Sequence, residues 1–118
     1  APGQASKAND RPASVSAAAD ERDTDLGSVM ISLASVIRDR RRDMPEGSYT
    51  THLFSGGPAR IRKKTGEEAV ELILADTKHN LTGEAADLIY HLLVLLEAED
   101  ISLNDLSAEL KHRGLGTR

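Results

Sequence analysis

A chain of 118 residues with no cysteine, a formal charge of -4 and 3% aromatic residues is long enough for one small domain. It cannot form a disulfide scaffold, a thiolate metal site or a thiol nucleophile. The charge and the scarcity of rings argue against a nucleic-acid binder, and no apolar run approaches the roughly 20 residues that span a bilayer. The N-terminus lacks a signal-peptide layout, so the expectation is a cytoplasmic protein whose small folded unit favours oligomerisation.

From Ala1 to about Asp25 the chain mixes Ala, Ser, Pro and Asp with no apolar period. Such a segment buries too little surface to offset its ordering entropy, so residues 1–27 are expected to be a disordered tail or linker before a domain over 28–118. The periodic pattern itself begins at Leu26. Leu26, Val29, Met30, Leu33, Val36 and Ile37 recur at helical spacing, giving a first helix that ends near Asp43. Arg38, Arg40, Arg41 and Arg42 suit its negative end, either as a solvated cationic terminus or as a guide for a phosphorylated ligand. After Pro45-Glu46-Gly47, Ser48 is a good N-cap for a short helix through Phe54, and Pro58 suits the first turn of the next.

That third helix is expected from Pro58 to Lys78, with an apolar stripe of Ile61, Ala69, Leu72 and Ile73 and a charged stripe of Arg60, Lys64, Glu68 and Glu71. Gly66 interrupts it, which is read as room for a ligand or a neighbouring backbone. His79 to Gly83 reads as a short connection, so the next helix, from about Thr82 to Glu99, returns antiparallel. Its Leu88, Ile89, Leu92, Leu93, Val94, Leu95 and Leu96 surround it, and a symmetric dimer is the simplest cover. Ser102-x-x-Asp105 resembles a capping box opening a last helix, with Leu103, Leu106 and Leu110 inward and Gly114 after its end. The fold class expected is an all-α bundle of four to five helices completed by dimerisation.

Residues three apart share a helix face, so Glu68 with Glu71 and Glu84 with Asp87 each present two carboxylates in one direction. On antiparallel neighbours the four acids converge. Two unit charges roughly 5 Å apart repel by about 3 kcal/mol at an effective dielectric of about 20, so the cluster opposes folding unless a cation or protons enter it. An all-carboxylate set suits a hard ion, Mg²⁺ with Mn²⁺ as the alternative. The competing reading is solvated acids paired with local bases, such as Lys64 with Glu68. A di-iron bundle needs two Glu-x-x-His motifs, and the chain has Glu109 to His112 alone. His91, on the apolar helix beside Tyr90, reads as a hydrogen-bonded core residue in preference to one facing the acids.

Glu67-Glu68-x-x-Glu71, twelve residues, then Glu84-x-x-Asp87 resembles the acidic motif of the all-α, MazG-like nucleoside-triphosphate pyrophosphohydrolases. Ser48-Tyr49-Thr50, the run from Lys63 to Glu71, and the run from Glu84 through Tyr90-His91 to Leu96 are closer still to the phosphoribosyl-ATP pyrophosphatases of histidine biosynthesis. Thr65 departs from the family, which more often has an apolar residue there. The resemblance implies a Mg²⁺-dependent homodimer that hydrolyses phosphoribosyl-ATP to phosphoribosyl-AMP and pyrophosphate. Carried over, Glu68, Glu71, Glu84 and Asp87 hold the metal, and Glu67 is a further acid that positions or deprotonates water. Ser48, Tyr49 and Thr50 help form the substrate pocket. From their charge and spacing, Arg60, Lys63 and Lys64 neutralise phosphate. The alternatives are a house-cleaning enzyme acting on other nucleoside triphosphates and a non-catalytic dimerisation module.

Overall fold

The computed structural model describes residues 25–116, all helical or connecting, with no strand among them. The elements are α1 (Leu26–Asp43), α2 (Tyr49–Ser55), α3 (Gly57–Leu74), α4 (Lys78–Ala98) and α5 (Leu103–Lys111), followed by a wide π-type turn over His112–Gly116. The expected tail, up to residue 24, lies outside the described residues. None of the described helices is long and apolar enough to cross a membrane.

The caps explain where the helices begin. Asp25 caps α1, Ser48 Oγ accepts from Thr51 N at 3.2 Å to start α2, and Ser102 with Asp105 forms the reciprocal capping box of α5. Gly57, at φ 81°, makes the sharp turn from α2 into α3, a backbone state that side chains with a Cβ rarely adopt, and Pro58 follows in the first turn.

Two boundaries differ from expectation. α3 stops at Leu74 instead of Lys78, and the connection is Ala75-Asp76-Thr77, because Thr77 Oγ1 accepts from Asn80 N at 3.0 Å and caps α4 there. His79 to Gly83, expected to be the connection, is the first part of α4. At the other end Gly114 does not terminate the chain's winding, which continues through the π-type turn.

Ile37 of α1, Tyr49 and Leu53 of α2, Ile61 of α3, and Tyr90, Leu93 and Val94 of α4 form the buried core. The most extensive packing is between antiparallel α3 and α4, which fixes the register of the acid-bearing faces. Arg41 fastens α1 to the end of α4, donating to the Glu97 carbonyl at 2.6 Å, Glu97 Oε2 at 2.9 Å and Asp100 Oδ1 at 2.8 Å. Arg42 pairs with Asp39 and Asp43. Both arginines are thus engaged in ion pairs at the end of α1. Leu110, expected inward, is 60% exposed, since α5 docks chiefly through Leu103 and leaves its last turn uncovered.

Gly66 lies inside a continuous α3, as expected, but a Cβ built there meets no atom within 4 Å, so nothing among the described residues requires the glycine. Gly66→Ala should therefore stabilise the protein by about 1 kcal/mol, the helix-propensity difference. Chemical denaturation checks this, and a loss of stability would mean that something beyond the described residues packs against that position.

Candidate active site

One face of α3 runs from cations to acids, Arg60, Lys63 and Lys64 giving way to Glu67, Glu68 and Glu71. Glu84 meets it from α4. Carboxylate oxygens of Glu68, Glu71 and Glu84 all lie within 4.8 Å of one another. Glu68 is 1% exposed, Glu84 half-buried and Glu71 exposed. The Glu71 carboxyl is raised above its ordinary value, first by its hydrogen bond with Glu68, then by the charge of Glu68, by burial and by Glu84, with Lys64 opposing. A hydrogen bond between two carboxyls needs a proton between them. Glu84 Oε2 is buried without a hydrogen-bond partner among the described residues. Three carboxylates crowded within 4.8 Å and an orphaned carboxylate oxygen are what a hard divalent cation would satisfy, so the donor set fits Mg²⁺.

Asp87, expected as a fourth ligand, stands outside this cluster, one turn further along α4. Its carbonyl oxygen accepts from His91 Nδ1 at 2.6 Å. That bond requires the hydrogen on Nδ1, leaving Nε2 as an acceptor for the Tyr49 hydroxyl at 2.7 Å. His91 Nε2 is also 4.0 Å from Glu68 Oε1. The Tyr49 hydroxyl is held well above the ordinary tyrosine value by burial first, then by the charges of Glu68, Asp87 and Glu67, against Arg60. It therefore stays a neutral donor. His91, 0% exposed, is the hydrogen-bonded core residue expected, and it borders the acids as well.

Beside the acids is a cavity of about 230 Å³, walled by Tyr49, His52 and Leu53 of α2 and by Arg60, Lys63, Lys64 and Glu67 of α3. Lys64 Nζ bridges cavity and acids, 3.5 Å from Glu68 Oε1 and 3.8 Å from Glu67 Oε2. Of Ser48, Tyr49 and Thr50, expected in a substrate pocket, Tyr49 is the one that lines this space. Ser48 is buried with its hydroxyl capping α2, and Thr50 is 0% exposed and hydrogen-bonded to the Tyr90 hydroxyl. His52, which the sequence left without a partner, accepts a hydrogen bond from Arg60 Nη2 at 2.7 Å in the cavity wall. Three cations beside a carboxylate trio can hold a polyphosphate next to a divalent ion.

Comparison with known proteins points to a family of pyrophosphohydrolases. A family model described as phosphoribosyl-ATP pyrophosphohydrolase matches residues 30–114. The phosphoribosyl-ATP pyrophosphatase of Metallosphaera sedula is 47% identical over 88 residues, 72% of this chain and 95% of that protein. That of Haloarcula marismortui is 46% identical over 94 residues, 75% of this chain and 96% of the relative. The histidine biosynthesis bifunctional protein HisIE of Bacillus subtilis is 46% identical over 97 residues, 80% of this chain but 46% of the relative. The chain thus spans under half the length of the bifunctional relatives it matches and 82% to 96% of the single-function ones.

Proposed function

Since the chain belongs to the phosphoribosyl-ATP pyrophosphohydrolase family, we propose that it hydrolyses phosphoribosyl-ATP to phosphoribosyl-AMP and pyrophosphate, a step of histidine biosynthesis, in the cytoplasm. The observation that carries this reading is the carboxylate trio within 4.8 Å beside a cavity walled by three cationic side chains. Glu68, Glu71 and Glu84 hold Mg²⁺, with Asp87 next in line along α4. When bound, the ion supplies Lewis acidity toward phosphoryl oxygens and lowers the pKa of water.

The chain's own residues do the rest. Lys63 and Lys64 hold the phosphate chain in the cavity and offset the charge that develops as the bond between the α and β phosphorus positions breaks, while Arg60 binds the far end of that chain. Lys64, close to Glu67 and Glu68, keeps phosphate and acids adjacent without direct repulsion. Glu67, exposed at the cavity rim, orients or deprotonates the attacking water. Tyr49, fixed by His91, walls the substrate side. The deciding assay measures pyrophosphate release from phosphoribosyl-ATP with and without Mg²⁺, beside a panel of nucleoside triphosphates. Mg²⁺-dependent turnover of phosphoribosyl-ATP is expected, and a strong preference for dUTP or dCTP would overturn the reading.

The working unit in this proposal is a homodimer. Val70, Ile73 and Leu74 at the end of α3 are 54%, 78% and 73% exposed, and Leu81 at the start of α4 is 47% exposed. Four large apolar side chains at one helical hairpin form a patch suited to a second copy. Sedimentation of the wild type should give a dimer and Ile73→Asp a monomer. A monomeric wild type at micromolar concentration removes the dimer from the proposal.

A further inference from the structure

Arg60 lies on the exposed side of α3, where a long cationic side chain ordinarily samples many rotamers. Two features of α2 restrict it. The imidazole of His52 accepts from Arg60 Nη2 at 2.7 Å, and the aliphatic stem of Arg60 crosses directly over Gly56. A Cβ added to Gly56 would sit 2.1 Å from Arg60 Cδ and 3.0 Å from its Cβ and Cγ. Gly56 has φ -82° and ψ -11°, a backbone state open to any residue. What the position needs from glycine is therefore space for the arginine. His52 is itself braced, its ring 6.5 Å from that of Tyr49 at 35°, and Tyr49 is bonded to His91 of α4.

We propose that His52 and Gly56 are positioning residues that preset Arg60 as an anion clamp for the pyrophosphate portion of the substrate, at the end of the cavity away from the acids. This rests on reading the cavity as the phosphate end of the site. Arg60, Lys63 and Lys64 follow one helix face toward Glu67 and Glu68. A phosphate chain lying along that face meets Arg60 at one end and the carboxylate trio at the other. A guanidinium already in place loses less rotamer freedom on binding, so the benefit appears as affinity, with little effect on the chemical step.

The test measures binding of inorganic pyrophosphate by calorimetry at fixed free Mg²⁺, together with KM and kcat for phosphoribosyl-ATP. Arg60→Ala, His52→Ala and Gly56→Ala should each weaken pyrophosphate binding and raise KM about 5- to 10-fold, with kcat within about 2-fold. His52→Gln, which keeps a side-chain acceptor, should recover most of the loss. Because both act through one guanidinium, His52→Ala combined with Arg60→Ala should be no worse than Arg60→Ala alone. Full additivity, or unchanged pyrophosphate affinity in Arg60→Ala, overturns the clamp. If wild type leaves phosphoribosyl-ATP intact while the variants still lose pyrophosphate affinity, the substrate assignment fails and the clamp stands.

Discussion

Glu71→Gln should reduce Mg²⁺-dependent pyrophosphate release by more than about 10²-fold while leaving the metal-free protein as stable as wild type or slightly more so. The activity loss follows from its place in the trio. Residues that merely support metal ligands cost about 10- to 100-fold when mutated, and a ligand should exceed that. The stability effect follows from like charge. Glu71 lies beside Glu68 and near Glu84, and in the metal-free protein their hydrogen bonding and charge hold its carboxyl above the ordinary glutamate value. A raised folded pKa contributes stability that is fully present below the ordinary value and is lost as pH rises through the raised one. Thermal unfolding in chelator should thus show wild type losing stability across that window and Glu71→Gln losing less. Substantial destabilisation of the metal-free variant at neutral pH would mean that Glu71 belongs to a structural ion pair instead.

His91→Ala should cost about 3 kcal/mol or more in stability, on the order of 15 °C in midpoint for a domain of this size. Three losses add. A fully buried ring is removed, the Asp87 carbonyl loses its side-chain donor, and the Tyr49 hydroxyl loses its acceptor beside buried Glu68. Tyr49→Phe should cost less, about 1–2 kcal/mol, by stranding His91 Nε2 alone. The double variant should fall short of the sum by 0.5 kcal/mol or more, because both substitutions break the same bond. A His91→Ala variant within about 1 kcal/mol of wild type would show that the ring is replaceable there.

Much of this arrangement is legible in the residues because helical periodicity is local. The i, i+3 spacing of Glu68 and Glu71 puts both on one face, and a short connection brings Glu84 opposite them. Other features depend on competition or on neighbours. Gly83 is a stronger apparent break than Thr77, yet the Thr77 hydroxyl satisfies an orphan amide whereas a helical glycine costs only about 1 kcal/mol. Leucine spacing assigns Leu110 to a face but cannot say whether anything stands before that face. Ser48 and Thr50 look like pocket hydroxyls, and both are consumed internally, one as a cap and one by Tyr90. The bond from His52 to Arg60 crosses a helix break, where no periodicity predicts contact.

The three-residue connection between α3 and α4 also bears on how the chain folds. Glu71 and Glu84 are little more than a dozen positions apart, so closing this hairpin carries a small loop entropy and is favoured early. The same early step forces the acids together before the rest of the core can compensate. Refolding of the metal-free chain should therefore be slow at this step, and millimolar Mg²⁺ should raise the refolding rate more than it lowers the unfolding rate.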